Sequence, residues 1–299
     1  MMRTVGGLGL AAAACVAYGT FVESRSFQLR RVSVPVLPAG APRLRVLHIS
    51  DAHLLVRNRA RARFIAGLAA LEPDLVVNTG DNVAQPEAID VLAESLGRLL
   101  KVPGVFVMGS NDYTGPKFRN PLAYLVRSTE GKSHADHTPL PTDRLRAALS
   151  SGGWHDMTQA KVHLDLHGVR CELRGTDDAH LGRDDYAAVA GRPSRKTQLA
   201  IGVTHAPYQR VLDAMTADGV KLIFAGHTHG GQVCVPGYGA LTTNCDLETS
   251  RVKGLSKQKA AGKSAYLHVS AGLGMSPLAP YRFACPPEAT LLTLTASNG

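Results

Sequence analysis

Five short apolar segments of this sequence each end in a turn that carries Asp, Asn or His. The segments span 44–49, 75–78, 105–108, 199–203 and 222–225. They have the length and the aliphatic, β-branched composition of buried strands. Because ligands of α/β sheets bind at the carboxyl ends of the strands, we expect the five turns to converge in space. The recurrence predicts an α/β fold with one polar site.

The segments between these strands carry helical signals. Apolar residues recur at helical spacing over 64–71 and 89–99, and Pro86 suits the first turn of the second helix. The range 113–155 breaks the pattern, because it is polar and contains four prolines. We expect it to be an excursion that carries a short helix near 144–149. Since it leaves directly from one of the polar turns, it is expected to shape substrate access.

Seven side chains of the five turns have the chemistry of a divalent metal site. Carboxylate oxygens, amide carbonyls and neutral imidazoles suit borderline ions, and a shared carboxylate allows two ions to lie roughly 3.5–4 Å apart. A mixed Asp, Asn and His set without Cys favours two sites for Mn, Fe or Zn over an all-oxygen cage for Mg or Ca. The candidate metal ligands are Asp51, His53, Asp81, Asn111, His205, His227 and His229.

The order of these motifs resembles the calcineurin-like metallophosphoesterase family. The motifs are Asp51-x-His53, Gly80-Asp81, Gly109-x-x-Asp112, His205 and Gly226-His227-x-His229, and they span most of the chain after the N-terminal apolar run. The segment 272–288 is similar to the membrane-associated bacterial branch of that family. The resemblance implies a four-layer α/β/β/α sandwich, in which two mixed β-sheets are flanked by helices.

The resemblance also implies a role for each matching position. One metal ion is expected on Asp51, His53 and His229, and the other on His205, His227 and an Asn. Asp81 is expected to bridge the two ions. The implied reaction is attack on phosphorus by a metal-bridging hydroxide, and activity should fall as acid protonates the histidine ligands.

The third motif departs from the family pattern. The family has Gly-Asn-His-Asp where this sequence has Gly109-Ser110-Asn111-Asp112. An ungapped match places Ser110 at the ligand position and Asn111 at the position of the acid. A serine hydroxyl is a poor ligand for a divalent ion, so we expect the turn to shift by one residue and Asn111 to bind metal. Asp112 is then a candidate for the missing proton donor, and Asp81, Asn111 and Asp112 form the predicted catalytic set.

The N-terminal region predicts attachment to a membrane. The range 5–22 carries no charge, and Arg3 precedes it. This length is at the short limit for a spanning helix and suits a signal peptide or a signal anchor. We therefore assign 1–24 to an N-terminal signal anchor or signal peptide, with an uncleaved anchor favoured, and 25–299 to the catalytic domain. Basic residues lie on both sides of the run, so the side of the membrane is left open, export included.

Several other polar residues give weaker signals. Eight histidines lie away from the strand ends and are interpreted as ordinary: His48, His134, His137, His155, His163, His167, His180 and His268. A polar loop is interpreted as structural, and it contains Arg174, Asp177, Asp178 and Arg183. The run Arg57, Arg59, Arg61 and Arg63 is interpreted as a solvated helix start. Among the five cysteines, free buried thiols are expected, although a Cys234–Cys245 disulfide is open.

These observations predict a two-metal phosphoester hydrolase. The net charge of +9 indicates an anionic partner. The favoured substrate is a small-molecule or lipid-linked phosphoester or pyrophosphate of the membrane or envelope. A metal-dependent nuclease is one alternative, but with 5% aromatic residues and one Trp a stacking platform for nucleic acid looks thin. The other is a catalytically weak metal-binding scaffold at the membrane. The sequence does not indicate an oligomeric state.

Overall fold

The structure is a computed structural model that describes residues 13–116 and 138–297. Two six-stranded mixed sheets form its centre. The strands, numbered in chain order, are β1 (Gln28–Leu37), β2 (Leu44–Ile49), β3 (Leu75–Asn78), β4 (Gly104–Phe106), β5 (His155–Asp156), β6 (Ala160–Leu166), β7 (Val169–Gly175), β8 (Leu199–Val203), β9 (Leu222–Ala225), β10 (Cys234–Val235), β11 (Gly239–Ala240), β12 (Gly254–Ala260), β13 (Lys263–Val269) and β14 (Glu288–Ala296).

Parallel strands lie at the middle of both sheets. The first sheet has the order β1-β14-β2-β3-β4-β5, in which β2 to β5 run parallel and β14 is antiparallel to β2. The second has the order β12-β13-β9-β8-β7-β6, in which β13, β9, β8 and β7 run parallel. Strands β10 and β11 form a separate hairpin. The parallel arrangement brings the carboxyl ends of β2, β3 and β4 to one edge.

Helices cover the outer faces of the two sheets. They are α1 (Arg59–Gly67), α2 (Ala88–Leu96), α3 (Ser110–Tyr113), α4 (Thr142–Ser150) and α5 (Gln209–Asp218). Short 3-10 turns occupy Glu23–Arg25, Leu68–Leu71, Gly97–Lys101, Tyr186–Val189, His229–Gly231 and Thr249–Arg251. Helix α5 ends at Gly219, whose left-handed backbone lets its N–H bond the last helical carbonyls.

Three apolar clusters separate the four layers. Within β2, Leu44 and Val46 pack between the sheets, whereas Leu47 and Ile49 face α1 and α2. A third cluster joins the outer face of β8, β9 and β13 to α5. Burying each such side chain contributes about 1.5–3 kcal/mol, so a one-residue slip of β2, which would exchange its two faces, is strongly disfavoured. The predicted four-layer α/β/β/α sandwich is confirmed.

The region interpreted as an excursion divides into two parts. Residues 117–137 lie outside the described residues. From 138 onward the chain belongs to the layered fold: α4 packs on α2, and Leu145, Leu149 and Trp154 join the core under the first sheet. The short helix expected near 144–149 is confirmed as α4. A role of this region in substrate access stays a prediction.

The N-terminal segment packs against the folded domain. Residues 13–21 are helical, and the ring of Tyr18 meets Phe283 edge-on. The backbone N–H of Arg282 donates to the carbonyl of Gly19, and the carboxylate of Glu23 accepts from the N–H groups of Ala284 and Cys285. Among the described residues no helix is long and apolar enough to cross a membrane, and residues 1–12 are outside that range.

Candidate metal centre

The predicted turns meet at the edge formed by the carboxyl ends of the parallel strands. Asp51 and His53 follow β2, Asp81 follows β3, His205 follows β8, and His227 and His229 follow β9. Five of these six residues adopt left-handed backbone conformations, with φ between 39° and 69°; the exception is His205. Such conformations are costly for residues with a Cβ and concentrate at functional sites. The sharp turns aim successive side chains at one point.

Four side chains form a compact group. Ligand atoms of Asp51, His53, Asp81 and His229 all lie within 4.8 Å of one another. The Nε2 atoms of His53 and His229 are 3.2 Å apart, and the Nε2 of His53 lies 3.4 Å from Oδ2 of Asp81. Close glycines make this packing possible. A Cβ on Gly226 would clash with Oδ2 of Asp51, and one on Gly109 would clash with Oδ1 of Asp81.

A second group shares Asp81 with the first. The Nε2 of His205 lies 3.6 Å from Oδ2 of Asp81, and it lies 3.2 Å from Nδ1 of His227. Asp81 therefore lies between the two histidine pairs, His53 with His229 and His205 with His227. This is the position that the bridging assignment requires.

Backbone carbonyls orient three of the histidine rings. Nδ1 of His205 donates to the carbonyl of Thr79 at 2.6 Å, and Nδ1 of His229 donates to that of Gly274 at 3.0 Å. Nε2 of His227 faces the carbonyl of Asn244 at 3.4 Å. In a neutral ring, a nitrogen that donates to a carbonyl carries the one ring proton, so the other nitrogen has the lone pair that a metal ion needs. In all three rings that second nitrogen points into the cluster.

The third motif places Asn111 on the shared carboxylate. The side-chain amide and the backbone N–H of Asn111 each donate to Asp81 at 2.7 Å. The hydroxyl of Ser110 lies 3.5 Å from the Asn111 amide nitrogen. A half-turn rotation of the amide would present its carbonyl oxygen to the same place. Asn111 is thus in contact with the shared carboxylate, and its role as a metal ligand stays a prediction.

Asp112 is occupied by the backbone of neighbouring turns. Its carboxylate accepts from the N–H groups of Asp81, Asn82 and Gly109 at 2.7–3.0 Å, and it is fully buried. Burial, and then the negative charge of Asp81, raise its pKa to about 7. Because its oxygens face these N–H groups, the geometry favours a positioning role for Asp112 over the proton-donor role considered from the sequence.

The electrostatics of the site favour a bound cation. Burial lowers the pKa of His53 to about 4 and holds those of His227 and His229 well below the ordinary value, so these rings are neutral and able to ligate. Burial also opposes charge on His205, but Asp81, Asp178 and Asp51 outweigh it and raise its pKa to about 9. The carboxylates thus draw positive charge into the cluster. Divalent ions would supply that charge, and the donor set fits them.

The structure adds residues that the sequence did not single out. Asp178 is buried, its Oδ2 has no hydrogen-bond partner, and it acts electrostatically on His205. The ring of His180 lies 4.5 Å from that of His227. Both were interpreted as ordinary or structural. A signal was available, because Thr176 to His180 follows β7, which lies beside β8 in the second sheet.

Two buried arginines hold the backbone behind the first ligand group. Arg61 donates to the carbonyls of Ala52 and His53, and Arg282 donates to those of Ala271, Gly272 and Gly274. Arg61 is only 8% exposed, so its interpretation as part of a solvated helix start is wrong. Periodicity alone could not have separated Arg61 from its exposed neighbours, since the carbonyls that it bonds come from the turn before the helix.

A cysteine pair lies beside the same turn. The cysteines of the described residues are free. The thiols of Cys234 and Cys285 both approach the carbonyl of Gly230, at 3.3 and 3.4 Å. Cys245 instead contacts Thr243. The spatial neighbour of Cys234 is therefore Cys285, and the Cys234–Cys245 disulfide that the sequence left open is absent from the structure.

Comparison with known proteins identifies the family. The profile of the calcineurin-like phosphoesterase family matches residues 44–231. The chain belongs to this family. It is similar to the uncharacterized metallophosphoesterase YkuE of Bacillus subtilis (strain 168), with 26% identity over 290 residues that cover 94% of this chain and 90% of that protein. Homologues named metallophosphoesterases support the assignment of this chain as a phosphoester hydrolase.

Two further similarities concern a eukaryotic protein and a solved structure. A Bos taurus transmembrane protein with metallophosphoesterase domain is 24% identical over 212 residues, which cover 68% of this chain and 44% of that protein. The crystal structure of TT1561 of Thermus thermophilus superposes with a TM-score of 0.43 at 11% identity, and it covers 78% of this chain and 91% of that chain.

Proposed function

We propose that this phosphoesterase uses two divalent ions, Mn, Fe or Zn, bound in the two ligand groups. Asp51, His53 and His229 would hold one ion, and His205, His227 and Asn111 the other. Asp81 would serve both. When bound, such ions neutralise charge on phosphoester oxygens and lower the pKa of water. The observation that carries the proposal is the direction of the free ring nitrogens, which face a shared carboxylate from both sides.

The side chains of the centre have distinct tasks in this proposal. The carbonyls of Thr79 and Gly274 fix which nitrogen of His205 and His229 is available. Asp112 holds the Asp81 turn through three backbone N–H groups. Arg61 and Arg282 place positive charge behind the first group, which limits the negative charge that the ligands alone would carry. Together these contacts maintain the ligand geometry before substrate binds.

Attachment to a membrane through residues 1–24 stays a proposal. It is supported by the apolar run in the sequence and by similarity to a protein that is named as a transmembrane protein with this domain. A substrate carried by the membrane or envelope is part of the same proposal.

The test combines metal analysis with a hydrolysis assay on the purified full chain. With added Mn²⁺ we expect about two ions per chain and turnover of aryl phosphoesters, both lost on chelation and regained on reconstitution. Fewer than one ion per chain after reconstitution would refute the two-metal proposal. Two bound ions without hydrolysis of any phosphoester tried would instead favour the scaffold alternative.

A further inference from the structure

A cavity opens beside the metal ligand His53. Its volume is about 430 Å³, and three segments line it: the N-terminal segment over 20–27, the turn and start of α1 over 53–61, and the loop over 275–280. Small-molecule sites usually measure about 300–1,000 Å³, so this cavity has room for more than the reacting phosphate. Because His53 forms part of the wall, a molecule held in the cavity would adjoin the first ligand group.

The walls of the cavity are basic. Arg25, Arg57 and Arg59 line it, and all three are exposed. None of them forms an ion pair among the residues that the structure describes, and no Asp or Glu lines the cavity. Arg61 lies behind them, more than nine-tenths buried, and its Nε has no hydrogen-bond partner. Unpaired guanidinium groups around a pocket fit an anionic group such as a phosphate.

Exposed apolar residues neighbour, in the sequence, residues that line this basic cavity. Phe21 is 64% exposed and adjoins the lining residue Thr20. Val56 lies between the lining residues Leu55 and Arg57, and Leu278 follows the lining residue Pro277. In the described part of the chain, four of the exposed large apolar residues lie in the three cavity segments: Phe21, Val22, Val56 and Leu278. Val16 and Tyr18 lie in the helical residues just before the first segment, and the others belong to the 233–241 hairpin: Val233, Val235, Tyr238 and Leu241.

The hairpin adjoins the same side of the molecule. Val233 pairs with Phe283, and the ring of Phe283 meets Tyr18 of the N-terminal segment. Apolar residues that are exposed singly need no explanation, but their concentration in the cavity segments and the adjoining hairpin favours an interaction surface. Arginines beside exposed aromatic and aliphatic residues suit the boundary between lipid headgroups and acyl chains.

We propose that the cavity binds the anionic headgroup of a phosphorylated amphiphile presented by a lipid surface. The arginines contact the headgroup, and the apolar residues around the cavity contact the lipid surface. This inference rests on the proposed function, since it makes the substrate class of the metal centre a membrane phosphoester. A soluble anion alone would use the arginines and leave the apolar surroundings without a role.

Vesicle binding tests the arginines. The metal-loaded full chain is mixed with vesicles of phosphatidylcholine, with and without phosphatidylglycerol, and the bound fraction is measured by sedimentation. The double variant Arg57→Gln/Arg59→Gln should bind the anionic vesicles about 25-fold more weakly, since each basic residue near such a surface contributes a factor of about five. The matched control is Arg43→Gln/Arg63→Gln, which removes two exposed arginines outside the cavity. An equal loss in both variants would overturn the proposal.

A competition assay separates a lipid surface from a free anion. Phosphatidylglycerol vesicles should inhibit hydrolysis of a soluble aryl phosphoester at least tenfold more strongly, per accessible phosphate, than glycerol phosphate does. The double variant Phe21→Ser/Leu278→Ser should lose most of that advantage. Equal inhibition by vesicles and glycerol phosphate would overturn the lipid assignment.

The two assays also separate this inference from the proposed function. Hydrolysis of the aryl ester without selective binding to anionic vesicles would overturn the inference and leave the proposed function intact. Binding that depends on Arg57 and Arg59, with two bound ions but no hydrolysis of any phosphoester, would refute the proposed function and support this cavity as a lipid site.

Discussion

Two sets of histidines among the described residues differ in what surrounds their ring nitrogens. One set lies at the strand ends, where His53, His205 and His229 face carboxylates and His227 faces His205. The other is the pair His48 and His268, which lies between the two sheets with an Nδ1–Nδ1 distance of 2.8 Å. Burial lowers the pKa of His53 and of His268 alike, in each case to about 4. Burial and a shifted pKa therefore do not distinguish a metal ligand.

The orientation of the nitrogens distinguishes the two sets. In the pair between the sheets, three ring nitrogens face neutral partners. Nδ1 of each ring faces the other ring, and Nε2 of His48 faces the hydroxyl of Thr79 at 2.9 Å. Thr79 donates to Ser50, which in turn donates to Asp51. If Nδ1 of His268 donates to Nδ1 of His48, and Nε2 of His48 donates to Thr79, every hydrogen bond of this chain has one donor and one acceptor. Both rings are then neutral. In the strand-end set, Nε2 of His53, His205 and His229 instead faces a carboxylate, at 3.4–3.6 Å.

The largest expected effect tests the carboxylate that both ligand groups share. Asp81→Ala should remove both ions together and lower hydrolysis by at least about 10³-fold, because several kcal/mol of charge stabilisation depend on them. Elemental analysis and turnover with an aryl phosphoester measure the two effects. The control is Glu94→Ala, which removes an exposed carboxylate of α2. Loss of one ion with hydrolysis largely retained would show that Asp81 does not bridge.

A smaller effect is expected in the third motif. Asn111→Ala should weaken binding of the ion at His205 and His227 by roughly 10–100-fold, the cost of removing a group that supports a metal site. Ser110→Ala should change that affinity less than twofold, because the serine hydroxyl reaches the cluster only through the Asn111 amide. Titration of the apoprotein with Mn²⁺ measures both. The reverse order of effects would restore the ungapped match, with Ser110 as the ligand.

The comparison also shows what sequence could and could not predict. The strand ends could be predicted because apolar runs and Gly-Asp or Gly-His turns are local features of the sequence. His48 could be told from the ligand candidate His53 because it lies within β2, whereas His53 follows the strand. Asp178 and His180 were missed because their closeness to His205 and His227 depends on the pairing of β7 with β8. Arg61 was missed for a similar reason. Its partners are carbonyls, which every residue has and no sequence pattern marks.

The last prediction concerns stability instead of metal binding, and it tests the pair between the sheets. His268 has a pKa of about 4 in the folded chain and about 6.5 when unfolded. A neutral buried histidine of this kind stabilises the fold fully above pH 6.5, and its contribution is lost as the pH falls towards 4, because the unfolded chain takes up the proton first. The expected loss between pH 7 and pH 4 is roughly 3 kcal/mol.

The variant His268→Leu separates this effect from metal binding. At pH 7 it should lower the free energy of unfolding by about 1–3 kcal/mol, since Nδ1 of His48 loses its buried partner. Between pH 7 and pH 4 it should lose less stability than the unmodified chain, by roughly 3 kcal/mol, because one titrating group is gone.

Urea unfolding of the apoproteins, followed by the fluorescence of the single buried Trp154, measures both quantities. His155→Leu, at an exposed site, is the control. If His268→Leu lost metal at pH 7 while its free energy of unfolding stayed unchanged, the pair would instead belong to the metal centre. It would then act on the ligands through Thr79, Ser50 and Asp51.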